Sequence, residues 1–177
     1  MKPPLSSNCV MMEEDIELYV CSYDSAKLHI YTSSNTTEIR LCFLPHAIAF
    51  IGDTSLYAIG GHNPPTLEIR RKDNNEFMRN IHVRSHVFSL AASPDGLQLC
   101  VGMDDRLLLF HVETLFTLSQ QCLSGMISVY NITEESSTVV FENKGRHTQP
   151  VYGCAFTDGV LVTCGGNILI WDTSNCL

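Results

Sequence analysis

Eight cysteines are the first residues of this 177-residue sequence that could do chemistry: Cys9, Cys21, Cys42, Cys100, Cys122, Cys154, Cys164 and Cys176. None forms a CxxC pair, and no Cys/His spacing matches a zinc site. Cys21, Cys100, Cys154 and Cys164 lie inside apolar runs (LYVCS, LQLCVG, YGCAF, LVTCGG), where a thiol is expected to act as a small buried hydrophobe. Two groups of carboxylates stand out. Glu13, Glu14, Asp15 and Glu17 lack the alternate spacing and turn glycine of a calcium loop, so they read as a solvated segment. Asp104-Asp105 sits between two strand-like runs, which favours turn chemistry over general acid–base work. No GxSxG, HExxH, phosphate-binding loop or dinucleotide fingerprint occurs. The expectation is a chain that is not an enzyme, with no cofactor and no bound metal, and a small-molecule substrate is disfavoured.

The basic residues are sparse. Arg70-Arg71-Lys72 form one spot, with Arg79, His82 and Arg84 following. Eleven Lys and Arg stand against nineteen Asp and Glu, a net charge of −8, which has the wrong sign for generic binding to nucleic acid or an anionic membrane. No eighteen-residue apolar window exists, so no membrane span is expected. The start, MKPPLSSNCVMMEED, has two prolines and early acids where a secretion signal would be apolar. A cytosolic or nuclear location, with thiols reduced, is the expectation that follows.

The elements that must position these residues are short. Runs such as ELYVCSY (17–23), KLHIYTS (27–33), EIRLCFL (38–44), AIAFIGD (47–53), SLYAIGG (55–61) and TLEIRRK (66–72) are rich in Val, Ile, Leu, Tyr and Phe. VFSLAAS (87–93), LQLCVGM (97–103), RLLLFHV (106–112), MISVYNI (126–132), TVVFE (138–142), VYGCAF (151–156), GVLVTCG (159–165) and NILIWD (167–172) continue the pattern. Gly, Asp, Asn, Pro and Ser punctuate them, and no long stretch has helical periodicity, so the fold class is all-β. The runs also repeat. Strands of the form apolar-x-apolar-aromatic end at Tyr31, Arg70 (in the aromatic slot), Phe110, Tyr130 and Trp171, at intervals of 39, 40, 20 and 41. A period near forty matches a four-stranded propeller blade.

Val87 to Gly96, with its Ser-Pro-Asp-Gly turn, resembles the innermost strand and first turn of a WD40 repeat. Asn167 to Asp172 ends in the Trp-Asp pair that names that family, and His147 stands four residues before a strand-a-like run. The resemblance implies a partial WD40-type β-propeller of about four blades, one truncated, in an incomplete ring. Expected blades are 8–44, 45–82, 83–118, a partial 126–142, and 147–177, after a disordered tail at 1–7. WD40 propellers usually close with about seven blades, within the 4–8 that propellers span. The sequence is therefore expected to be a fragment, an isoform or an incomplete gene model.

The family carries a His–Ser/Thr–Asp–Trp hydrogen-bonded chain within a blade, useful only when its members are satisfied. The resemblance assigns His147, Thr163 and Trp171 to it in the last repeat and Asp104 in the third. His82 is its candidate histidine there, with Cys100 in the Ser slot and Phe110 in the Trp slot. The function it implies is a non-catalytic scaffold for protein–protein interaction, its partners being other proteins in a multi-subunit complex. One alternative is a substrate receptor of a cullin-RING ubiquitin ligase, a type that Gly60-Gly61-His62-Asn63-Pro64 resembles. That type often carries Trp-Asp-x-Arg, and here Ser174 replaces the Arg. Another is a phosphoinositide-binding propeller, whose Arg-Arg-Gly step Arg70-Arg71-Lys72 partly matches. His62, Asn63, Arg70 and Arg71 are accordingly the candidate partner contacts, the bland reading of Arg70 being an exposed strand end.

Overall fold

A chain of short, alternating apolar runs buries little in any single strand, so its stability must come from sheets that pack face to face. A computed structural model describes residues 7–13, 17–22, 24–104, 106–112, 126–133, 136–144, 149–157 and 160–172. Among them are sixteen strands and no helix: β1 (Ser7–Glu13), β2 (Glu17–Ser22), β3 (Lys27–Tyr31), β4 (Thr36–Arg40), β5 (Leu44–Phe50), β6 (Leu56–His62), β7 (Thr66–Arg71), β8 (Phe77–His82), β9 (Val87–Ala92), β10 (Gln98–Met103), β11 (Leu107–His111), β12 (Met126–Thr133), β13 (Ser136–Lys144), β14 (Gly153–Thr157), β15 (Val160–Cys164) and β16 (Ile168–Asp172). They form four sheets, ordered β1-β2-β3-β4, β5-β6-β7-β8, β13-β12-β11-β10-β9 and β14-β15-β16. The first strands of successive sheets pack side by side, β1 on β5, β5 on β9, and β9 on β14.

The register shows that the repeat is real. Tyr31 pairs with Leu18, Arg70 with Tyr57, Phe110 with Leu99, and Trp171 with Leu161. In all four sheets the partner is the second residue of the second strand, so the four third strands are equivalent. Tyr130 is the exception. Its strand, β12, lies parallel beside β11 with Tyr130 opposite Phe110, and β13 then pairs antiparallel with β12. The interval of 20 therefore marks no blade of its own: residues 126–142 extend the third sheet.

Three other expectations change. Residues 7–13, which the strand-like runs read from sequence leave out, pair along β2, from Ser7 opposite Ser22 to Glu13 opposite Glu17, because an antiparallel partner outweighs weak propensity. Residues 77–82, missed as a strand, form β8 at the outer edge of the second sheet. Exposed Phe77 and Met78 begin it, so it lacks the alternation that betrays a half-buried strand. The run 38–44 is split, with β4 ending at Arg40 and β5 beginning at Leu44.

Three apolar seams hold the sheets together. Tyr19, Cys21 and Leu28 of the first sheet meet Ile48, Tyr57 and Ile59 of the second. Ala58, Leu67 and Ile69 of the second meet Val87, Leu99, Val101 and Leu108 of the third. Cys100, Leu107 and Leu109 of the third meet Leu161 and Trp171 of the last. Each buried Leu, Ile or Val contributes about 1.5–3 kcal/mol relative to exposure.

At the far end of the sheets the tight turns touch one another. In the Ser93–Gly96 turn the Gly96 amide donates to Ser93 O at 2.9 Å, and Asp95 Oδ1 accepts from the Leu97 amide at 2.9 Å. Gly96 has φ 72° and Gly52 has φ 48°. A Cβ on Gly52 would lie 2.4 Å from the Gly96 amide nitrogen, so only hydrogen fits. Replacing Gly52 with Ala is expected to destabilise the chain by about 1–3 kcal/mol, from left-handed strain and the backbone clash together. The urea denaturation midpoint checks this, and an unchanged midpoint would contradict the turn-to-turn contact.

Candidate functional site: a histidine and aromatic cluster

In an antiparallel sheet the start of the first strand, the end of the second and the start of the third share one edge. Of three hydrogen bonds at this edge, the one between Val151 and Met103 crosses from one sheet to the next. The Val83 amide donates to Pro65 O at 3.2 Å, the Val151 amide to Met103 O at 2.9 Å, and the Tyr152 amide to Cys164 O at 2.9 Å. Short segments that enter β9 and β14 are thereby fixed against the turns of their neighbours.

His46 on β5, His62 at the end of β6, His86 just before β9, Phe88 on β9, Asp104 after β10 and Tyr152 just before β14 gather at this edge. The His62 and His86 rings are 4.7 Å apart, those of His46 and Phe88 5.1 Å, and those of Phe88 and Tyr152 5.5 Å. His86 Nδ1 lies 3.7 Å from Asp104 Oδ2, an ion pair once the imidazole is protonated. His62 is buried, whereas Tyr152 is 57% exposed. Burial, then the neighbouring His62 and His86, hold His46 below the ordinary histidine pKa. Burial and His86 do the same to His62, partly offset by Asp104. No group of three or more His, Cys, Asp or Glu among the described residues is arranged to hold a metal ion. The cluster offers aromatic faces, imidazole donors and one carboxylate on a fixed frame, which suits recognition of another protein's side chains.

Of the residues singled out from sequence, His62 and Asp104 meet here through His86, and exposed Asn63, φ 56°, forms the turn beside them. His86 was missed; His82 was read as the histidine of this repeat, but it is exposed at the end of β8. The usable signal was that His86 immediately precedes the strand-like run at Val87.

Arg70 and Arg71 lie at the opposite end of β7. Arg70 is no exposed strand end. Its side chain is 13% exposed, its Nε donates to the buried carboxylate of Glu68, and its Nη1 donates to Asn75 O at 2.8 Å. The Tyr57 hydroxyl donates to Asn75 Oδ1 at 3.1 Å, and burial pushes that phenol's pKa well up. Arg71 forms a two-pronged pair with Asp73, at 3.0 and 2.8 Å.

Thr163 and Trp171 come together apart from the cluster. Trp171 Nε1 donates to Thr163 Oγ1 at 2.8 Å, with Thr163 fully buried. His147 lies outside the described residues. In the third sheet the position matching Thr163 is Val101, opposite Leu108 as Thr163 is opposite Leu169. Cys100, expected in that slot, faces the last sheet instead. Cys164, expected to be buried, is exposed.

No sequence-family profile matches the chain, and no curated protein matches it. Solved structures do. U3-55K matches with a TM-score of 0.71 at 15% identity over 97% of this chain, and the RRP9 WD40 repeats match with 0.71 at 15% over 97%. A chain of the mitotic checkpoint complex matches with 0.69 at 16% over 97%. The chain folds as part of a WD40-type β-propeller. It spans about half the length of these structures, 50%, 49% and 50% respectively. In propeller terms, each sheet is a blade with its first strand innermost, and the cluster lies where blades two, three and last adjoin.

Two predictions follow from this geometry. Thr163→Val takes away the acceptor of the buried indole N–H and is expected to cost about 1–3 kcal/mol. Urea denaturation followed by fluorescence of Trp171, the single tryptophan, measures it. The second concerns pH. His46 and His62 bind protons less readily folded than unfolded, where the pKa is near 6.5. Their contribution is fully present above about 6.5 and is lost as pH falls through the lower folded-state values. Tm is expected to fall between about pH 7.5 and 5.5, above the carboxylate range. A His46→Gln, His62→Gln double variant should flatten that slope, and an unchanged slope would refute the assignment.

Proposed function

We propose that this chain is a non-catalytic protein-interaction module whose histidine and aromatic cluster contacts a protein partner. The observation that carries the reading is the juxtaposition of Tyr152, Phe88 and His86 from adjoining blades, on β9 and on the segments entering β9 and β14, which backbone hydrogen bonds pin. Aromatic side chains on rigid supports are the residues that most often dominate an interface. The same fold occurs in the mitotic checkpoint complex, which supports a multi-subunit setting. The ligase-receptor reading is a narrower form of this proposal. The motif behind it, Gly60 to Pro64, ends in the turn bordering the cluster, so an adaptor or a substrate would meet the same face. The phosphoinositide reading has less support, since Arg70 and Arg71 are engaged by Glu68 and Asp73 within their own blade.

The test compares proteins captured by the tagged chain with those captured by Tyr152→Asp and His86→Asp variants, with Arg71→Asp as a control at the other end. The expected result is at least about a tenfold loss of the wild-type partner for the first two, with Tm preserved, and none for the control. Loss with Arg71→Asp, and retention with Tyr152→Asp and His86→Asp, would move the interface to the opposite end and overturn the proposal.

A further inference from the structure

The seam between the third and last blades holds two thiols from different sheets. Cys100, in the middle of β10, is fully buried and faces the last blade among Leu107, Leu109, Leu161 and Trp171. Cys154, on β14, packs onto the same cluster from the other side and is only half-buried. Its Sγ lies 3.5 Å from Ser89 Oγ and 4.0 Å from the Cys100 carbonyl oxygen. The frame around them is fixed on both sides. β10 is paired with β9 and β11, β14 with β15, and Ser89 Oγ donates to Val151 O at 2.9 Å across the seam.

We propose that Cys100 and Cys154 form a reversible inter-blade disulfide when the protein meets hydrogen peroxide. The two sulfurs have unequal roles. The Cys100 thiol, as hydrogen-bond donor, is the largest influence lowering the Cys154 pKa, against burial and with help from Ser89 and the Gly102 amide. Burial pushes Cys100 well up. The more acidic and more exposed Cys154 is therefore the attacking sulfur. Its thiolate takes one peroxide oxygen, the O–O bond breaks, and the departing hydroxide leaves as water after gaining a proton. The Cys154 sulfenic acid then meets the Cys100 sulfur, the S–S bond forms, the S–O bond breaks, and the hydroxide leaves as water with the Cys100 proton. Two thiols and one peroxide give one disulfide and two waters; the sulfurs lose two electrons and the peroxide gains them. The bridge ties residues 54 apart in sequence and clamps the blades that carry Phe88 and Tyr152.

The test uses the reduced 177-residue chain treated with hydrogen peroxide, quenched by alkylation in denaturant and digested with chymotrypsin, which separates Cys154 from Cys164 at Phe156. The expected product is a cross-linked Cys100–Cys154 peptide, two hydrogens lighter than its reduced parts and released by dithiothreitol. A rise of several degrees in Tm, reversed by the same reductant, should accompany it. Cys100→Ser should leave Cys154 as a sulfenic acid that dimedone traps, and Cys154→Ser should leave Cys100 reduced. Should either variant fail to fold, the wild-type peptide map still decides. Cys154 advancing to sulfinic acid while Cys100 remains alkylatable would overturn the proposal, as would a dominant bridge through exposed Cys42 or Cys164.

Discussion

Everything in this chain depends on how closely β9 fits between its neighbours. Val87, at the head of β9, is fully buried, and a Cβ on Gly60 of the preceding blade would sit 2.3 Å from one of its methyl groups. On the other side, a Cβ on Gly102 would fall 2.2 Å from Ser89 Oγ and 2.6 Å from Val151 O. The approach is set by atoms that are missing from glycine, which is why it tolerates no drift. Because β9 is held from both sides, the segments that enter β9 and β14 have fixed positions. The cluster of His62, His86, Phe88 and Tyr152 inherits its geometry from that fit.

The blade pattern was legible because it is written in two short-range codes. Alternation marks a strand, and a turn signal marks its end, so Val87 to Gly96 and Asn167 to Asp172 could be read almost residue by residue. The aromatic slot then gave the blade period, and the observed pairing puts Tyr31, Arg70, Phe110 and Trp171 at equivalent places. Tyr130 has the same local sequence pattern but a different partner, since pattern specifies a strand and says nothing of what it pairs with. The first and eighth strands were missed for the converse reason. Their pairing comes from the sheet beside them, and outer or polar strands carry little alternation of their own.

The candidate site was legible in part. His62, Asn63 and Asp104 lie in or beside turns, and turns can be found from sequence. His46 and His86 became informative only when segments from three blades were brought to one edge. Cys100 shows the limit differently. The family resemblance put it in the slot of Thr163, but the register gives that slot to Val101, and a one-residue shift in a strand exchanges one face of the sheet for the other. That same shift is what turns Cys100 toward Cys154.

The blades use different chemistry at equivalent positions. In the last blade the third strand supplies Trp171, whose N–H is satisfied by Thr163 within the sheet. In the second blade Arg70 occupies the matching place, and its charge must be answered in a largely buried setting by Glu68, with the Asn75 carbonyl and Tyr57 completing the group. Removing one member of such a pair leaves an unanswered charge, which costs far more than the pair contributes over an apolar replacement. The indole–hydroxyl pair is neutral, and its loss leaves only one unsatisfied polar group. The repeat therefore conserves geometry and not chemistry. In these two blades the slot holds a large side chain whose polar atoms are answered inside its own blade.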